Sequence, residues 1–389
     1  MSATLMKSCP VCGSGLVRKV LEIKGVPVYC NVLLRTREEA LRVPKGDISL
    51  AHCNCCGHVF NAAFDADLLE YTPDYENSLH WSPRFQQYAE DLAADLISRY
   101  DLRGKRIIEI ACGKGDFLKL LCQPEGNRGV GFDPSSEIEG QDGNVTFVRD
   151  YFGRNEESWQ ADFVCCRHAL EHISQPTAFL QGIKEIIGPF GSSALFFEVP
   201  NGLYTFRDMG IWDLIYEHCS YFWAGSLRRA FDLASLRVTR LGVAFDEQFL
   251  AIEAYPDPQE QAALEISGLT EMERDIDLFE KRYRQKTLEW RGRLGELRSK
   301  GFRVAVWGAG SKGVTFLNVL RSAGMVDFVV DVNPRKKGRF VPGSAQEVIS
   351  PVQLAEVRPD VIIVMNSIYR EEISRTISAM GLGSIILEA

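Results

Sequence analysis

The stretch Arg106-Ile-Ile-Glu-Ile-Ala-Cys-Gly-Lys-Gly-Asp-Phe117 decides how the chain folds. Its apolar run, residues 107–110, predicts a buried strand, and residues 117–121 have the apolar spacing of a helix. Gly113 and Gly115 lie between the two elements. Because glycine has no Cβ and tolerates positive φ, this backbone can approach a ligand closely, and the helix behind it presents unpaired N–H groups. We therefore expect a flat or polar ligand on the turn.

The next predicted strand, residues 128–132, ends in an acidic residue that suits a ribose. Asp133 follows the glycines by about 20 residues, where a carboxylate can accept hydrogen bonds from both ribose hydroxyls. Glu109 adds a second carboxylate near the ligand, which disfavours a pyrophosphate and favours a cationic sulfonium group. A glycine turn alone is also typical of an ordinary structural connection, so the cofactor interpretation depends on Asp133.

The motifs E-I-A-C-G-K-G and G-F-D-P resemble the S-adenosylmethionine site of class I methyltransferases. The resemblance implies a Rossmann-like α/β core with S-adenosylmethionine as its cofactor. A third predicted strand, residues 144–148, ends near Asp150, which we expect to contact the adenine amino group. The complete set of residues that we expect around the cofactor is Glu109, Ala111, Gly113, Gly115, Asp133, Pro134, Asp150 and His168.

Length and composition indicate a multidomain globular protein. With 389 residues the chain is too long for one core of ordinary size, and its 46% hydrophobic and 25% charged content is typical of soluble proteins. The net charge of −8 disfavours a nucleic-acid surface, and no segment resembles a signal peptide or a membrane span. We expect a cytoplasmic monomer or homodimer with no nucleic-acid or membrane partner. In that setting, cysteines favour metal sites over disulfides.

Two cysteine pairs near the N-terminus have the spacing of a zinc site. Cys9-Pro-Val-Cys12 and Cys53-Asn-Cys-Cys56 are C-x-x-C knuckles about 40 residues apart, each followed by glycine. Together they can supply Cys9, Cys12, Cys53 and Cys56 to one tetrahedral Zn²⁺, which would be structural because no position stays open. Residues 20–51 must then form a hairpin or loop. Coincidental buried cysteines are the alternative interpretation, and the alternative ligands are Cys55, His52 and His58.

Aromatic and polar residues precede a predicted amphipathic helix, residues 85–100. Tyr71, Tyr75 and His80 fall in this segment, which either lines a substrate pocket at a domain junction or is a linker packed on the surface. Two further strands, residues 162–166 and 193–200, complete a predicted parallel sheet whose carboxyl ends gather the polar side chains. Those at the carboxyl ends are Glu109, Asp133, His168, His172, Glu198 and Asn201, of which we expect Glu198 and Asn201 to contact the substrate.

The segment Trp212-Asp-Leu-Ile-Tyr-Glu-His-Cys-Ser-Tyr-Phe222 carries the candidate base. A histidine can remove a proton at neutral pH when a neighbour orients it, and His218 follows Glu217 directly. Adjacent residues on a helix do not face each other, so this pair requires a non-helical backbone. For His172 we favour a packed, hydrogen-bonded role over a catalytic one.

The cysteine knuckles, the methyltransferase core and the E-H-x-S-Y-F segment together resemble the sugar C-methyltransferases that act on nucleotide-linked 4-keto deoxysugars. In that family the segment reads roughly I-Y-H-E-H-x-S-Y-F, and its second histidine is the base. The match assigns that role to His218, oriented by Glu217. This chain departs from the pattern just before Glu217: either Tyr216 replaces the first histidine of the family or one residue has been deleted. The candidate donors to an enolate are Tyr216, Tyr221 and Tyr75.

A second strand, glycine turn and helix follow the predicted long helix 269–299. Residues 302–313 contain G-A-G-S-K-G, which alone suggests a dinucleotide site. The same family carries a comparable C-terminal Rossmann-like domain with a G-x-x-x-K-G-x-x-x-L-N turn and a K-x-G-R-F-x-P-G loop, both present here. The alternative is a degenerate domain whose turn only packs its helix. The residues that we expect to contact the nucleotide-sugar are Lys312, Asn318, Arg339 and Tyr369.

The sequence therefore predicts an α/β protein of three domains. These are a zinc-binding domain (1–80), a class I methyltransferase core (81–255) and a C-terminal Rossmann-like α/β substrate domain (256–389). The predicted activity is S-adenosylmethionine-dependent C-methylation of a nucleotide-linked keto-deoxysugar through an enolate. An O- or N-methyltransferase acting on a sugar or other small molecule is one alternative, and an NAD-binding or non-catalytic protein with two Rossmann-like halves is another.

Overall fold

The computed structural model describes residues 5–154, 159–187, 193–257 and 266–389. These residues form three β-sheets of four, eight and five strands, with the helices packed against them. Among the described residues, none of the helices combines the length and the hydropathy that crossing a bilayer requires.

The chain begins with an antiparallel sheet that contains both cysteine knuckles at one end. Its elements are β1 (Val17–Pro27), α1 (Arg37–Leu41), β2 (Lys45–Cys53) and β3 (Val59–Asn61). β1 and β2 pair directly, with Val17 opposite Cys53, so the predicted hairpin within residues 20–51 is confirmed.

The central sheet has eight strands in the order β11-β12-β9-β8-β4-β5-β7-β6. The elements of this part of the chain are α2 (Pro83–Arg99), β4 (Arg106–Ile110), α3 (Asp116–Leu121), β5 (Arg128–Phe132), β6 (Gly140–Asp142), β7 (Val145–Val148), β8 (Phe163–Arg167), α4 (Pro176–Ile187), β9 (Ala194–Pro200), α5 (Gly202–Phe206), β10 (Ser220–Tyr221), α6 (Ala224–Leu233), β11 (Leu236–Ala244) and β12 (Phe249–Pro256). The five strands predicted from the sequence run parallel, as expected for the predicted Rossmann-like core.

Strand β4 lies at the centre of this sheet because both of its faces are apolar. Ile108 and Ile110 pack in one hydrophobic cluster, whereas Ile107 packs with Phe117 of α3 on the opposite face. Successive side chains of a strand point to opposite faces, so Glu109 lies on the α3 side. The strand order reverses between β4 and β8, and ligands of open parallel sheets bind at such a point.

The remaining sheet is entirely parallel, in the order β15-β14-β13-β16-β17. Its part of the chain consists of α7 (Leu269–Ser299), β13 (Val304–Trp307), α8 (Ser311–Val319), β14 (Phe328–Val330), β15 (Val348–Ile349), α9 (Leu354–Val357), β16 (Val361–Val364), α10 (Arg370–Ala379) and β17 (Ile385–Glu388). Its central strand, β13, is followed by the second glycine turn and α8, so the strand, turn and helix of the central sheet are repeated here.

The short strand β10 joins the N-terminal sheet rather than the central one. Ser220 lies opposite Phe60, and Tyr221 lies opposite Val59, in an antiparallel pair with β3. The segment with the candidate base is thus the fourth strand of the N-terminal sheet. Hydrophobic packing joins the N-terminal sheet to the C-terminal one as well, since buried residues of β1 and β2 share one hydrophobic cluster with those of β13 and α8. The same cluster contains Trp212 and Phe316, whose ring centroids are 4.9 Å apart.

We expect Gly115→Ala to destabilise the fold by about 2 to 5 kcal/mol, because the residue has a left-handed backbone and no room for a Cβ. Gly115 has φ +80°, and an added Cβ would lie 2.3 Å from the ring of Phe147. Urea unfolding of the ligand-free protein measures the effect. The control is Gly182→Ala in helix α4, where a Cβ meets nothing within 4 Å and should add about 0.5 to 1 kcal/mol. Equal stability of Gly115→Ala and wild type would contradict the packing described here.

Candidate active site

A cavity of about 360 Å³ lies between the central and the C-terminal sheets. Gly113 of the first glycine turn and Lys312 of the second both line it, with His218 on the wall between them. One cavity therefore connects both glycine turns with the candidate base. The predicted site residues that line it are Tyr75, His80, Glu109, Ala111, Gly113, His168, His218, Lys312 and Tyr369.

The first glycine turn is fixed by a hydrogen bond to the acid of the next strand. The Gly113 amide donates to Asp133 Oδ2 at 2.8 Å, and Ser135 donates to Oδ1 through its amide and hydroxyl. Ala111 and Gly113 have φ of +57° and +54°, which allows the backbone to turn here. Asp133 is not among the residues that line the cavity, but a carboxylate has about four acceptor positions, so it keeps acceptor capacity beyond these three bonds.

Glu109 is a buried carboxyl group aimed into the cavity. Only 3% of the residue is exposed, and its Oε2 has no hydrogen-bond partner among the described residues. Burial raises the pKa of Glu109 to about 8, an effect that the nearby Arg167 guanidinium opposes. An incoming cation would favour the ionised form, so this position suits a positively charged ligand.

Besides Asp133, three residues expected around the cofactor do not line the cavity. Gly115 lies against the ring of Phe147, and Pro134 lies outside the lining. Asp150 accepts hydrogen bonds from the Tyr151 amide and from Arg154, both 2.8 to 2.9 Å away, instead of facing the cavity. The adenine contact of Asp150 therefore stays a prediction, which the position of this carboxylate outside the cavity lining does not support.

Glu198 forms a buried ion pair rather than a substrate contact. Its Oε1 accepts two hydrogen bonds from Arg167, at 3.0 and 2.8 Å, and its Oε2 accepts one from Tyr88. His168, which lines the cavity, has its Nε2 3.0 Å from the same Oε1. Although burial acts in the opposite direction, Arg167 and His168 lower the pKa of Glu198 to about 2. The carboxylate therefore holds Arg167 and His168 in place.

Four other residues expected to bind substrate are placed elsewhere. Asn201 caps α5, where its Oδ1 accepts from the Leu203 amide at 3.1 Å. The side chain of Asn318 donates to the carbonyls of Val314 and Pro342, both at 2.9 Å. Neither asparagine lines the cavity, and the same holds for Tyr221, whose hydroxyl donates to a backbone carbonyl, and for Arg339.

The candidate base faces the cavity as a neutral imidazole. Burial lowers the pKa of His218 to about 3, and the nearby His168 acts in the same direction. Its ring lies edge-on to that of His172, with centroids 5.0 Å apart. His172 in turn has its Nδ1 2.9 Å from the Tyr71 hydroxyl. Both histidines line the cavity, so His172 is a site residue for which the sequence favoured only a packing role.

The neighbours of His218 in sequence point away from it. The Oε2 of Glu217 accepts a hydrogen bond from the Cys30 amide at 2.8 Å, and the carboxyl is fully buried outside the cavity. The Tyr216 hydroxyl accepts from the Asp65 amide at 2.9 Å, behind the cavity wall. Glu217 does not orient the imidazole and Tyr216 does not face the cavity, because both lie in a turn that directs their side chains towards Cys30 and Asp65. Both predictions are corrected: these two residues anchor the segment.

The second glycine turn repeats the hydrogen bond of the first but carries the opposite charge. The Ala309 amide donates to Asp331 Oδ2 at 2.8 Å, and Lys336 Nζ lies 3.3 Å from the same oxygen. Lys312 Nζ lies 3.2 Å from Asp213 and donates to Gln248 at 3.1 Å. Lys336 also lines the cavity; it begins the K-x-G-R-F-x-P-G loop, in which the sequence singled out Arg339.

The two cysteine knuckles form a cluster that can hold a metal ion. One sulfur pair, Cys9 and Cys56, is 3.6 Å apart, and the pair Cys12 and Cys53 has the same separation. All four sulfurs lie within 4.8 Å of one another. The alternative ligands lie outside this cluster: Cys55 is exposed, His52 contacts Asn54, and His58 contacts Ser220.

Comparisons with known proteins match two parts of the chain. Residues 83–241 match the family model described as a methyltransferase domain, and residues 259–384 match a C-methyltransferase C-terminal domain. The C-methyltransferase NovU of Streptomyces niveus is 28% identical over 306 residues, which are 73% of this chain and 71% of that protein.

Two solved structures are similar over part of the chain. One is a SAM-dependent methyltransferase from Aquifex aeolicus, with 16% identity, a TM-score of 0.34, and coverage of 42% of this chain and 89% of the other. The second is the magnesium protoporphyrin IX methyltransferase from Synechocystis with bound SAH, with 18% identity, a TM-score of 0.35, and coverage of 44% and 84%.

We expect Glu198→Gln to lower the free energy of unfolding at neutral pH by about 3 to 5 kcal/mol, because Arg167 loses its buried counter-charge. The pKa of Glu198 in the folded protein, about 2, lies below that of an unfolded chain, about 4.3. The contribution of ionised Glu198 to the free energy of unfolding is therefore present above about pH 4.3 and is lost as the pH falls towards about 2. Denaturant titrations across this range should show the two proteins converging. A constant difference at every pH would rule out this ion pair as its source.

Proposed function

The chain is an S-adenosylmethionine-dependent methyltransferase of the C-methyltransferase family, and we propose that it methylates a carbon next to a ketone in a nucleotide-linked deoxysugar. The observation that carries the proposal is the position of His218 on the wall of a cavity that connects both glycine turns. A carbon acceptor must lose a proton before methylation, whereas most oxygen and nitrogen acceptors need less activation. A neutral histidine in the cavity supports methylation of carbon, because it can accept that proton.

The residues at the first glycine turn fit the cofactor. Glu109 offers an unpartnered carboxyl oxygen to a cation, and Asp133 keeps acceptor capacity for ribose hydroxyls. Gly113 leaves open space, since a Cβ there would meet nothing within 4 Å. When bound, S-adenosylmethionine supplies an electrophilic methyl group on a positively charged sulfur. Asp150 does not support an adenine contact in this arrangement.

The residues at the second turn suit the phosphates of a nucleotide-sugar. Helix α8 begins at Ser311, so its N-terminal amides point to the cavity wall, where they favour an anion. The ammonium groups of Lys312 and Lys336 lie on the same wall. Phosphates bound at the second glycine turn would hold the sugar between the two glycine turns. The acceptor carbon and the methyl donor would then lie close together, which favours the reaction.

The mechanism then requires His218 to remove the proton next to the ketone. Burial holds the imidazole neutral at neutral pH, so its nitrogen has a free lone pair for the proton. His172 lies beside it, and its Nδ1 is occupied by the Tyr71 hydroxyl, which fixes the ring. Tyr75 is the predicted enolate donor that does line the cavity; Tyr216 and Tyr221 do not.

His218→Gln should lower kcat by about 10² to 10⁴ while the protein still binds S-adenosylmethionine, because only the base is removed. Mass spectrometry with a panel of nucleotide-linked 4-keto deoxysugars measures turnover as a gain of one methylene, and calorimetry measures cofactor binding. The matched control is Tyr216→Phe, which loses its contact with Asp65 outside the cavity and should retain kcat.

Exchange of the substrate's carbon-bound proton in deuterated water separates this reaction from O- or N-methylation. We expect exchange with wild type and its loss in His218→Gln. Full turnover of His218→Gln with cofactor bound would refute the assignment of the base. Methylation without any exchange would favour an oxygen or nitrogen acceptor instead.

We propose further that the cysteine cluster holds a structural Zn²⁺. Tetrahedral zinc with Zn–S bonds of about 2.3 Å separates its sulfurs by about 3.8 Å, close to the 3.6 Å of two pairs here. Four thiolates leave no position for substrate, so the metal would stabilise the fold. The cluster lies beside β3, which pairs with β10. Zinc would therefore hold the strand that follows His218.

Cys53→Ser should remove one equivalent of zinc and lower the melting temperature markedly, since binding energy at such sites is folding energy. Elemental analysis and calorimetry measure the two effects. Cys55→Ser is the matched control, because that exposed thiol lies outside the cluster and should keep both zinc and stability. Full metal content and unchanged melting of Cys53→Ser would exclude this ligand set.

A further inference from the structure

Glu171 is a buried carboxyl group in the cavity for which the proposed mechanism has no role. It lies in a short 3₁₀ turn directly after β8, and only 2% of the residue is exposed. Its Oε2 has no hydrogen-bond partner among the described residues, and Oε1 lies 4.0 Å from the nearest histidine nitrogen, of His168. Because an unpaired ionised carboxylate is costly to bury, the acid form is favoured at this position.

Glu171 lies close to both histidines of the cavity. One carboxyl oxygen of Glu171 and one nitrogen each of His172 and His218 lie within 4.8 Å of one another. Burial lowers the pKa of both imidazoles, whereas it raises the pKa of Glu171 to about 8. The base and the acid thus each keep the protonation state that a proton abstraction needs, a pattern by which acid and base roles are recognised.

The charged groups that face Glu171 do not favour its ionised form. Glu198 is paired with Arg167, and Asp213 is paired with Lys312. Both carboxylates raise the pKa of Glu171 further through repulsion. The titratable groups around it, taken from every element packed against it, are Cys166, His168, His172, Glu198, Asp213, His218, Cys219 and Tyr71.

We infer that Glu171, as a neutral acid, donates a hydrogen bond to the carbonyl oxygen of the acceptor while His218 removes the neighbouring proton. This inference rests on the proposed function. The C–H bond breaks, its proton goes to His218 and its electron pair moves to the oxygen that Glu171 contacts. The pair returns to carbon as the bond to the methyl carbon forms and the methyl–sulfur bond breaks. Glu171 keeps its own proton, and the proton on His218 leaves to solvent.

The structure leaves few other donors for this task. The hydroxyls of Tyr216 and Tyr221 are hydrogen-bonded to backbone groups outside the cavity. Tyr75 lines the cavity; its hydroxyl accepts a hydrogen bond from the Asn31 side-chain amide at 3.2 Å and also interacts with the buried Glu217 carboxyl. A preorganised donor in a desolvated site stabilises developing negative charge strongly, as a protonated carboxylic acid can.

A divalent metal is the competing occupant of this cluster, since two histidines and a carboxylate are a known ligand set. The contact of His172 Nδ1 with the Tyr71 hydroxyl leaves Nε2 as the nitrogen that a metal could use, so geometry alone does not decide between a metal and the acid role. Metal content decides between the two: the acid role predicts no second equivalent of metal beyond the cysteine cluster.

The test compares Glu171→Gln with Glu171→Ala in the full-length protein. Glutamine keeps an N–H donor but cannot titrate, so we expect kcat within about tenfold of wild type and no fall at high pH. Wild type should lose activity as the pH rises through about 8, because the acid form disappears. Alanine has no donor and should lower kcat by about 10² to 10³ at every pH. Initial rates and deuterium exchange between about pH 6 and about pH 10 measure these effects.

Glu253→Gln is the control for a buried carboxyl outside the cavity, where Arg99 and Tyr100 bind it. It should lower stability and keep the wild-type pH profile. Three outcomes would overturn the inference. Glu171→Gln could still lose activity at high pH, or Glu171→Ala could keep the wild-type kcat. The third outcome is a second metal equivalent in wild type that Glu171→Gln loses. If His218→Gln abolishes exchange while Glu171→Ala does not, only this inference fails. If His218→Gln exchanges normally, the proposed function fails as well.

Discussion

The pairing of β10 with β3 is the contact on which the arrangement of the site depends. Only two residues pair, Ser220 with Phe60 and Tyr221 with Val59, yet this pairing attaches the chain just after His218 to the N-terminal sheet. Glu217 strengthens the attachment through its bond to the Cys30 amide. The imidazole is therefore positioned by a sheet that belongs to neither Rossmann-like half. Consequently, stability of the N-terminal sheet and geometry of the base are coupled.

The two glycine turns have the same backbone-to-carboxylate hydrogen bond but differ in the charge of the side chains beside them. In each, a turn amide donates at 2.8 Å to the acid that ends the next strand, Asp133 in one and Asp331 in the other. The first turn adds the unpartnered carboxyl of Glu109, whereas the second adds the ammonium of Lys336. Lys336 neutralises Asp331, so the acid is less suited to a ribose. The same fold thus favours a cation at one turn and an anion at the other.

The features that depend on a single strand or a single motif could be predicted from the sequence. The apolar runs predicted the parallel strands, and the C-x-x-C spacing predicted which four thiols meet. Prediction failed where side-chain direction depends on a neighbouring strand. Glu198 was expected to contact substrate because it ends a strand, but the register of β8 with β9 sets it opposite Arg167, which takes up its charge. Likewise, nothing in the order Tyr216, Glu217, His218 reveals that the first two side chains face the N-terminal sheet.

Buried carboxyl groups distinguish structural from chemical roles in this protein. Burying an unpaired carboxylate costs several kcal/mol, so each such group needs a partner or a proton. Glu198 has a cation, and Glu217 has a backbone amide on one oxygen outside the cavity. Glu109 and Glu171 line the cavity, and each has one buried carboxyl oxygen without a hydrogen-bond partner among the described residues. Because the fold supplies no partner for these two among the described residues, a bound ligand is the group that can compensate their burial, a cation at Glu109 and a carbonyl oxygen at Glu171.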